Sequence, residues 1–207
     1  MPIVTIRGQM GSGAHEIGRQ VAAGLHADYI DREIIAEIAE HLRRTKEGVA
    51  GKEMPPGTIW GRLVEALGRS GSIEAAAYLR PEEIPIDDGS YLAGLKSVMK
   101  ELAKNELIVI YGRGSQFILK DKPGILHVSI VAPLGIRLKR VMESRKINGE
   151  EAKKEIERDD SSRREFARRY FRADLEDPLN YTLVINTEYV GFDAAASIIV
   201  NAIPSEK

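Results

Sequence analysis

The stretch Gly8-Gln9-Met10-Gly11-Ser12-Gly13-Ala14-His15 limits what this chain can fold into more than any other part of it. Ile3-Val4-Thr5-Ile6, just before it, is β-branched and apolar, the pattern of a short buried strand. Ile17, Val21 and Leu25, just after it, repeat every four residues and set one apolar stripe on a helix. A glycine-rich turn between a strand and a helix is the setting in which a loop cradles phosphate. Glycines let the backbone curl closely, amide N–H groups point inward, and the helix N-terminus adds partial positive charge. Gly8 and Gly13 stand at the spacing of the outer glycines in a Walker A loop, G-x-x-x-x-G-K-[ST]. Ala14 then replaces the lysine, and His15 replaces the Mg²⁺-binding hydroxyl residue. A purely structural strand-to-helix turn is the plainer alternative for the same glycines.

Length allows one α/β domain with insertions: 207 residues, 43% of them hydrophobic, suffice for a packed core. No apolar run reaches the length of a membrane span, and the chain enters a strand without a signal-peptide pattern. The expected location is therefore the cytoplasm, with no membrane partner. The absence of cysteine excludes disulfides, thiolate zinc sites and thiol nucleophiles. Residues 137–172 hold 13 lysines and arginines against 8 acidic residues, although the whole chain carries a net charge of −1. A local basic segment suits small anionic ligands better than a nucleic acid polymer, which meets a wider basic face. A solvated charged helix accounts for the same count.

Beyond the first helix, Asp28-Tyr29-Ile30-Asp31 reads as a strand ending at a helix N-cap, followed by a helix through Ile34, Ile35, Ile38 and Leu42. Residues 45–89 are broken by glycine and proline and predict an inserted subdomain, with one weak helix over 58–69. Regular pattern returns in a helix of roughly 90–104 and an apolar strand, Leu107-Ile108-Val109-Ile110-Tyr111, running into Gly112-Arg113-Gly114-Ser115. A strand at Ile125–Val131, a helix carrying Leu134, Leu138 and Val141, and a charged helix through 149–172 follow. Leu183-Val184-Ile185-Asn186 predicts a last strand, and Phe192, Ala195 and Ile199 a closing helix. Apolar strands alternating with helices predict a parallel sheet covered on both faces, with ligands at the carboxyl ends of its strands. Three predicted strand ends carry phosphate-type chemistry: Gly8–His15, Asp31-Arg32 and Gly112-Arg113.

Taken together, several stretches resemble the nucleoside monophosphate kinases, and among them the cytidylate kinase-like family. They are Gly11-Ser12-Gly13-Ala14-His15-Glu16-Ile17, Tyr29-Ile30-Asp31-Arg32-Glu33, Tyr111-Gly112-Arg113-Gly114 and Ile130-Val131-Ala132-Pro133-Leu134. Asp160-Ser161-Ser162-Arg163, Asp177-Pro178-Leu179-Asn180-Tyr181 and Val184-Ile185-Asn186-Thr187 continue the match. The resemblance implies a single three-layer P-loop kinase domain over 1–207 with a five-stranded parallel sheet. Residues 45–89 would be the acceptor-binding insertion and 145–172 a helical lid. The implied chemistry is transfer of the γ-phosphoryl of ATP, with Mg²⁺, to a nucleoside monophosphate, cytidylate first. Two positions depart from true cytidylate kinases: Gly114 stands for an aspartate, and Glu37 for an acceptor-site arginine.

Phosphoryl transfer asks the protein mainly for positioning and positive charge, which arginine supplies as a planar, permanently charged fork. Arg113, Arg158 and Arg163 are the expected catalytic residues, and Gly8, Gln9, Met10, Gly11, Ser12, Gly13, Ala14 and His15 the expected phosphate cradle. Asp31, Arg32, Arg113 and Asp160 are expected at the acceptor. Asp160 serves either to orient Arg163 or to meet the acceptor sugar, against the plainer reading of a surface pair. A lid arginine, Arg158 or Arg163, is expected to supply the charge that Ala14 lacks, so that ATP binding tightens on closure. His15 is expected at phosphate or as a helix cap, since imidazole is a poor Mg²⁺ ligand, and no protein metal site is expected. Arg164, Arg168 and Arg172 predict a solvated stripe, and Phe166, Tyr170 and Phe171 helix packing. Two other readings stand beside the kinase: a non-catalytic nucleotide-binding module, and a kinase for a different small acceptor.

Overall fold

A computed structural model describes residues 3–31, 88–104 and 107–203. Arg32, the helix expected after it and the insertion over 45–89 lie almost wholly outside the described residues. Five parallel strands form the sheet: β1 (Ile3–Gly8), β2 (Asp28–Ile30), β3 (Ile108–Tyr111), β4 (Ile125–Val131) and β5 (Leu183–Asn186), in the order β2-β3-β1-β4-β5. The helices are α1 (Ala14–Leu25), α2 (Asp88–Leu102), the short α3 (Ser115–Ile118), α4 (Leu134–Arg145), α5 (Gly149–Phe171) and α6 (Phe192–Asn201). A 3₁₀ turn at Pro178–Asn180 precedes β5. The expected three-layer α/β architecture is therefore present. No helix among the described residues is long and apolar enough to cross a membrane.

Strand alternation divides the core. Val4 and Ile6 of β1 join Ile17 and Val21 of α1 and Ala195 and Ile199 of α6 on one face of the sheet. Ile3, Ile108 and Ile110 meet Leu95, Val98, Met99 and Leu102 of α2 on the other. Each of these side chains is buried, and burying a Val, Leu or Ile side chain contributes about 1.5–3 kcal/mol. Central β1 pairs with β3 on one side (Ile3 with Ile108, Ile6 with Tyr111) and with β4 on the other (Ile3 with Ile125, Gly8 with Ile130). That register brings Gly8, Tyr111, Asp31 and Val131 to one edge, where the candidate site lies.

The structure extends one expectation and corrects another. Strand β1 runs to Gly8 rather than Ile6, which carries Arg7 into the sheet at 5% exposure. A polar stripe follows on that face: Thr5 opposite His127 and Arg7 opposite Ser129. The expected apolar stripe of α4 is only partly right. Val141 is buried, but Leu134 is exposed and Arg137 is the buried residue of the first turns. The reason is that this helix turns its N-terminal half toward backbone carbonyls and a carboxylate, described below, and not toward an apolar core. Farther along, Val141 packs with Ala152 and Ile156 and so joins α4 to α5.

His127 gives a pH prediction. Its Nδ1 lies 2.7 Å from the Thr5 hydroxyl, and burial holds the imidazole below its ordinary value of about 6.5. The unfolded chain therefore takes up the proton more readily than the folded one. The contribution to stability is complete above pH about 6.5 and is lost as pH falls through the lower folded value. Melting temperatures of the wild type and His127→Gln, measured from pH 8 to 5, should differ most at the alkaline end and converge toward the acid end. Parallel curves would remove His127 from the pH response.

Candidate functional site

The loop is built as its glycines require. Gly11 and Gly13 have φ of 79° and 85°, in the left-handed region. A Cβ on Gly13 would meet the Phe192 ring at 2.2 Å, and one on Gly11 would meet the Arg137 carbonyl oxygen at 2.7 Å. A Cβ on Gly8 would fall 2.0 Å from the Ala14 methyl, so Ala14 fills the space that Gly8 leaves, and it is buried. Gly13 is the N-cap of α1, without a side-chain cap, so the first-turn N–H groups have no protein hydroxyl or carboxylate capping them. The Ser12 hydroxyl is fully buried with no hydrogen-bond partner among the described residues. Uncapped amides and an orphaned buried hydroxyl at one helix N-terminus suit an anion.

Four carbonyls of the same loop, those of Gly8, Met10, Gly11 and Ser12, are gripped by cationic and hydroxyl donors. Thr187, at the end of β5, donates to the Ser12 carbonyl at 2.8 Å and accepts from Arg140 Nη1 at 2.8 Å. Arg140 also donates to the Thr187 carbonyl at 2.8 Å and lies 4.9 Å from the Phe192 ring centroid. Longer contacts at 3.4 Å reach the Gly11 and Ser12 carbonyls from Arg140, and the Met10 carbonyl from Arg137. Arg163, from α5, donates to the Gly8 carbonyl at 3.3 Å and from Nε to Asp159 at 2.6 Å. Burial alone would lower the Arg163 guanidinium, but Tyr111 and Asp159 beside it outweigh this and hold it above its ordinary value.

Below the carboxyl edge of β1 and β3 lies a cavity of about 440 Å³, between the turn Tyr111–Gly114, α3 and the C-terminal half of α5. Arg113 and Arg163 both line it. Arg113 has φ of 55° between Gly112 at 79° and Gly114 at 69°, three left-handed residues in a row. A non-glycine residue there costs on the order of 1–2 kcal/mol, and the geometry sets the guanidinium at the cavity instead of continuing the strand. Gly114 cannot be the aspartate of the related motif, because its Cβ would meet the Phe171 ring at 2.4 Å.

The expected site residues fall into three groups. Gly8–His15, Arg113, Arg163 and Asp31 converge on one edge of the sheet. Arg158 is exposed on α5, and no hydrogen bond or ion pair joins it to the loop among the described residues. Asp160 does not orient Arg163; it forms a two-point pair with Arg137 at 3.1 and 2.9 Å, and Asp159 is the partner of Arg163. One residue along a helix is a rotation of about 100°. That step turns Asp160 toward α4 and leaves Asp159, four residues before Arg163, on the arginine's face. His15 is neither a cap nor aimed along the loop: Nε2 lies 3.3 Å from Asp31 Oδ2, with Tyr29 and Tyr111 edge-on at 5.5 and 5.6 Å. Asp31 is buried, and burial, Tyr111 and Asp31 together push the Tyr29 phenol up.

Arg164, Arg168 and Arg172 are exposed, as a solvated stripe predicts. Phe166 and Phe171 do pack, ring centroids 5.8 Å apart, with Phe171 stacked on Phe117 at 5.1 Å, yet Phe166 and Tyr170 also line the cavity. Arg7, Arg137 and Arg140 carry no site expectation from the sequence, and Thr187 enters it only as the end of the β5 match. Arg137 and Arg140 are three residues apart on α4, directly after the Pro133 N-cap, and that spacing places both toward the loop.

Thr187→Val keeps the volume and deletes the hydroxyl that serves both Ser12 and Arg140. It should lower stability by about 1–3 kcal/mol, since a buried carbonyl and a guanidinium donor lose their partner together. Urea unfolding measures this, and an unchanged midpoint would deny the clamp its role.

Comparison with known proteins bears on the fold and the family. The cytidylate kinase-like family matches residues 3–189. A cytidylate kinase of Methanosarcina barkeri (strain Fusaro / DSM 804) is 24% identical over 189 residues, 89% of this chain and 87% of that protein. An uncharacterized protein from Eubacterium ventriosum ATCC 27560 has a crystal structure that superposes with a TM-score of 0.70 at 18% identity, covering 100% of both chains. Shikimate kinase from Acinetobacter baumannii, in complex with shikimate, reaches a TM-score of 0.46 at 16% identity over 98% of this chain and 93% of its own. With the family match running from β1 through β5, the chain belongs to the cytidylate kinase-like family.

Proposed function

We propose that this protein transfers the γ-phosphoryl group of ATP to a nucleoside monophosphate, with cytidylate as the first acceptor to test, and that it works in the cytoplasm. The observation carrying the proposal is Arg163, which touches the loop at the Gly8 carbonyl and also lines the cavity with Arg113. Donor phosphates on the loop and an acceptor phosphate at Arg113 would then meet beside one guanidinium. An acceptor phosphate oxygen forms the new bond to the γ-phosphorus as the bond to the β–γ bridging oxygen breaks, leaving ADP and a nucleoside diphosphate. Such a reaction needs alignment and charge neutralisation, which uncapped loop amides and paired arginines provide.

Mg²⁺, which the family resemblance implies alongside ATP, finds no protein ligand set among the described residues. His15 stands where the hydroxyl ligand belongs and faces Asp31, and no group of three His, Asp or Glu among the described residues is arranged to hold a metal. Any ion would rest on phosphates and water.

Ala14 favours a second reading, a nucleotide-binding module without turnover, because its buried methyl lies where the Walker lysine would emerge. Calorimetry with ATP, ADP and AMP, with and without Mg²⁺, tests the loop, and a coupled ADP-release assay over a monophosphate panel tests transfer. ATP and ADP should bind, and cytidylate should release ADP. No binding at millimolar nucleotide would end the phosphate-loop reading, and binding without ADP release from any acceptor would favour the module. Arg113→Ala should cost about 1.5–3 kcal/mol in acceptor affinity or rate, roughly one to two decades. Arg163→Ala should weaken both substrates and Arg158→Ala neither, read as separate dissociation constants.

A further inference from the structure

His15 is the loop residue that the chemistry above leaves without a role. It occupies the position where a Walker loop carries its hydroxyl residue, and it follows Ala14 in the first turn of α1. Its imidazole meets Asp31 at the tip of β2, with Nε2 3.3 Å from Oδ2. The His15 side chain is 46% exposed and that of Asp31 only 8%. The ring stands nearly perpendicular to Tyr29 of β2 and Tyr111 of β3, at 77° and 83° between planes. Three elements thus meet at one titratable ring, within a turn of the uncapped N-terminus of α1. An apolar ring would pack against the two tyrosines equally well, but only a nitrogen donor also answers the carboxylate.

Imidazole is the side chain whose charge changes between pH 5 and 8. With Asp31 a carboxylate, protonating His15 turns the pair from anionic to neutral. An anion on the adjacent loop amides then meets one negative charge fewer, whether or not it touches the ring. Other charges near the ring are of both signs. Glu16 and Arg19 follow on α1, Arg19 lying 6.0 Å from the Tyr29 ring centroid, and Arg163 of α5 stands beside Tyr111. The Tyr29 phenol, pushed up chiefly by burial, stays uncharged over this range. Asp31 alone among the described residues lies within hydrogen-bond distance of the His15 ring. We propose that His15 is a proton-operated charge of the phosphate loop. Held by Asp31, it supplies a positive charge at the loop in place of the fixed one that Ala14 lacks, and binding of a phosphate anion takes up a proton there. Proton and anion then strengthen each other's binding to the same extent. This inference rests on the reading that Gly8–His15 cradles phosphate.

Calorimetric titration of the full chain with ADP, without Mg²⁺, from pH 8 to 5.5 tests it on wild type, His15→Gln and Asp31→Asn. Glutamine keeps a neutral N–H donor for Asp31 and cannot titrate, and the ratio of wild-type to variant affinity removes the ligand's own titration. That ratio should be near one at pH 8 and rise to about tenfold at pH 5.5, the effect of a unit charge one helical turn away in a partly screened site. Asp31→Asn removes the carboxylate that favours the charged ring, so its gain in affinity should begin at lower pH than in wild type. That variant remains informative if His15→Gln does not fold. A ratio flat with pH overturns the role of His15 and leaves the phosphate-loop reading in place. An Asp31→Asn profile that rises at the same pH as wild type overturns the pairing. Failure of wild type to bind ADP at any pH overturns the inference and the phosphate-loop reading together.

Discussion

The glycine-rich loop leaves the carbonyls of Gly8, Met10, Gly11 and Ser12 in need of donors. In this protein three arginines and one threonine meet that need. Arg137 reaches Met10, Arg140 reaches Gly11 and Ser12, Arg163 reaches Gly8, and Thr187 holds Ser12 most closely. The positions of α4, α5 and the end of β5 all follow from this requirement. An unpaired buried carbonyl costs about 1–3 kcal/mol, so each contact constrains the element that supplies it.

Each buried guanidinium brings a second requirement, a counter-charge. Asp160 answers Arg137, Asp159 answers Arg163, and Glu176 answers Arg7. Adjacent aspartates on α5 thus serve two different partners, one on the neighbouring helix and one on their own. The pairing fixes the rotation of α5 about its axis, because a turn of one residue would present the wrong carboxylate to α4. Packing of Val141 on Ala152 and Ile156 sets the same rotation from the apolar side. Charge and packing agree, which is how a helix as polar as α5 keeps one orientation.

Strands and the loop are readable in the sequence for one reason: the strands are mostly apolar and β-branched, and the loop is rich in glycine. Ile125–Val131 and Leu183–Asn186 were located to the residue because nothing polar interrupts the run except side chains paired across the sheet. Arg113 was readable because an arginine between two glycines has no helical or strand role to explain it. The misses have a common physical cause. Arg137 was hidden inside an apparent apolar stripe of Leu134, Leu138 and Val141, because spacing alone does not tell which face of a helix turns inward. Arg7 was hidden because the strand was read as ending with its last apolar residue. Sequence neighbourhood pairs Asp160 with Arg163 or an acceptor, whereas its three-dimensional partner, Arg137, lies on another helix. Buried charges in general defeat hydropathy reading, since they are placed by their partners and those partners are distant in sequence.

The replacement of the Walker lysine by Ala14 takes on a different meaning in this arrangement. A lysine at that position brings one mobile charge into the hollow of the loop. Here positive charge is arranged around the loop and beneath it, on guanidiniums held by carboxylates, and the hollow itself is left to amide dipoles and the Ser12 hydroxyl. On the proposed function, fixed charges outside the hollow would act on a bound phosphate over a longer distance and weaken accordingly, but would cost nothing to reorganise as charge moved during transfer. Ala14 also closes tightly over Gly8, so the backbone that forms the cradle is braced by a methyl group where a lysine stem would otherwise pass. Rigidity of the loop and remoteness of the charge therefore come from the same substitution.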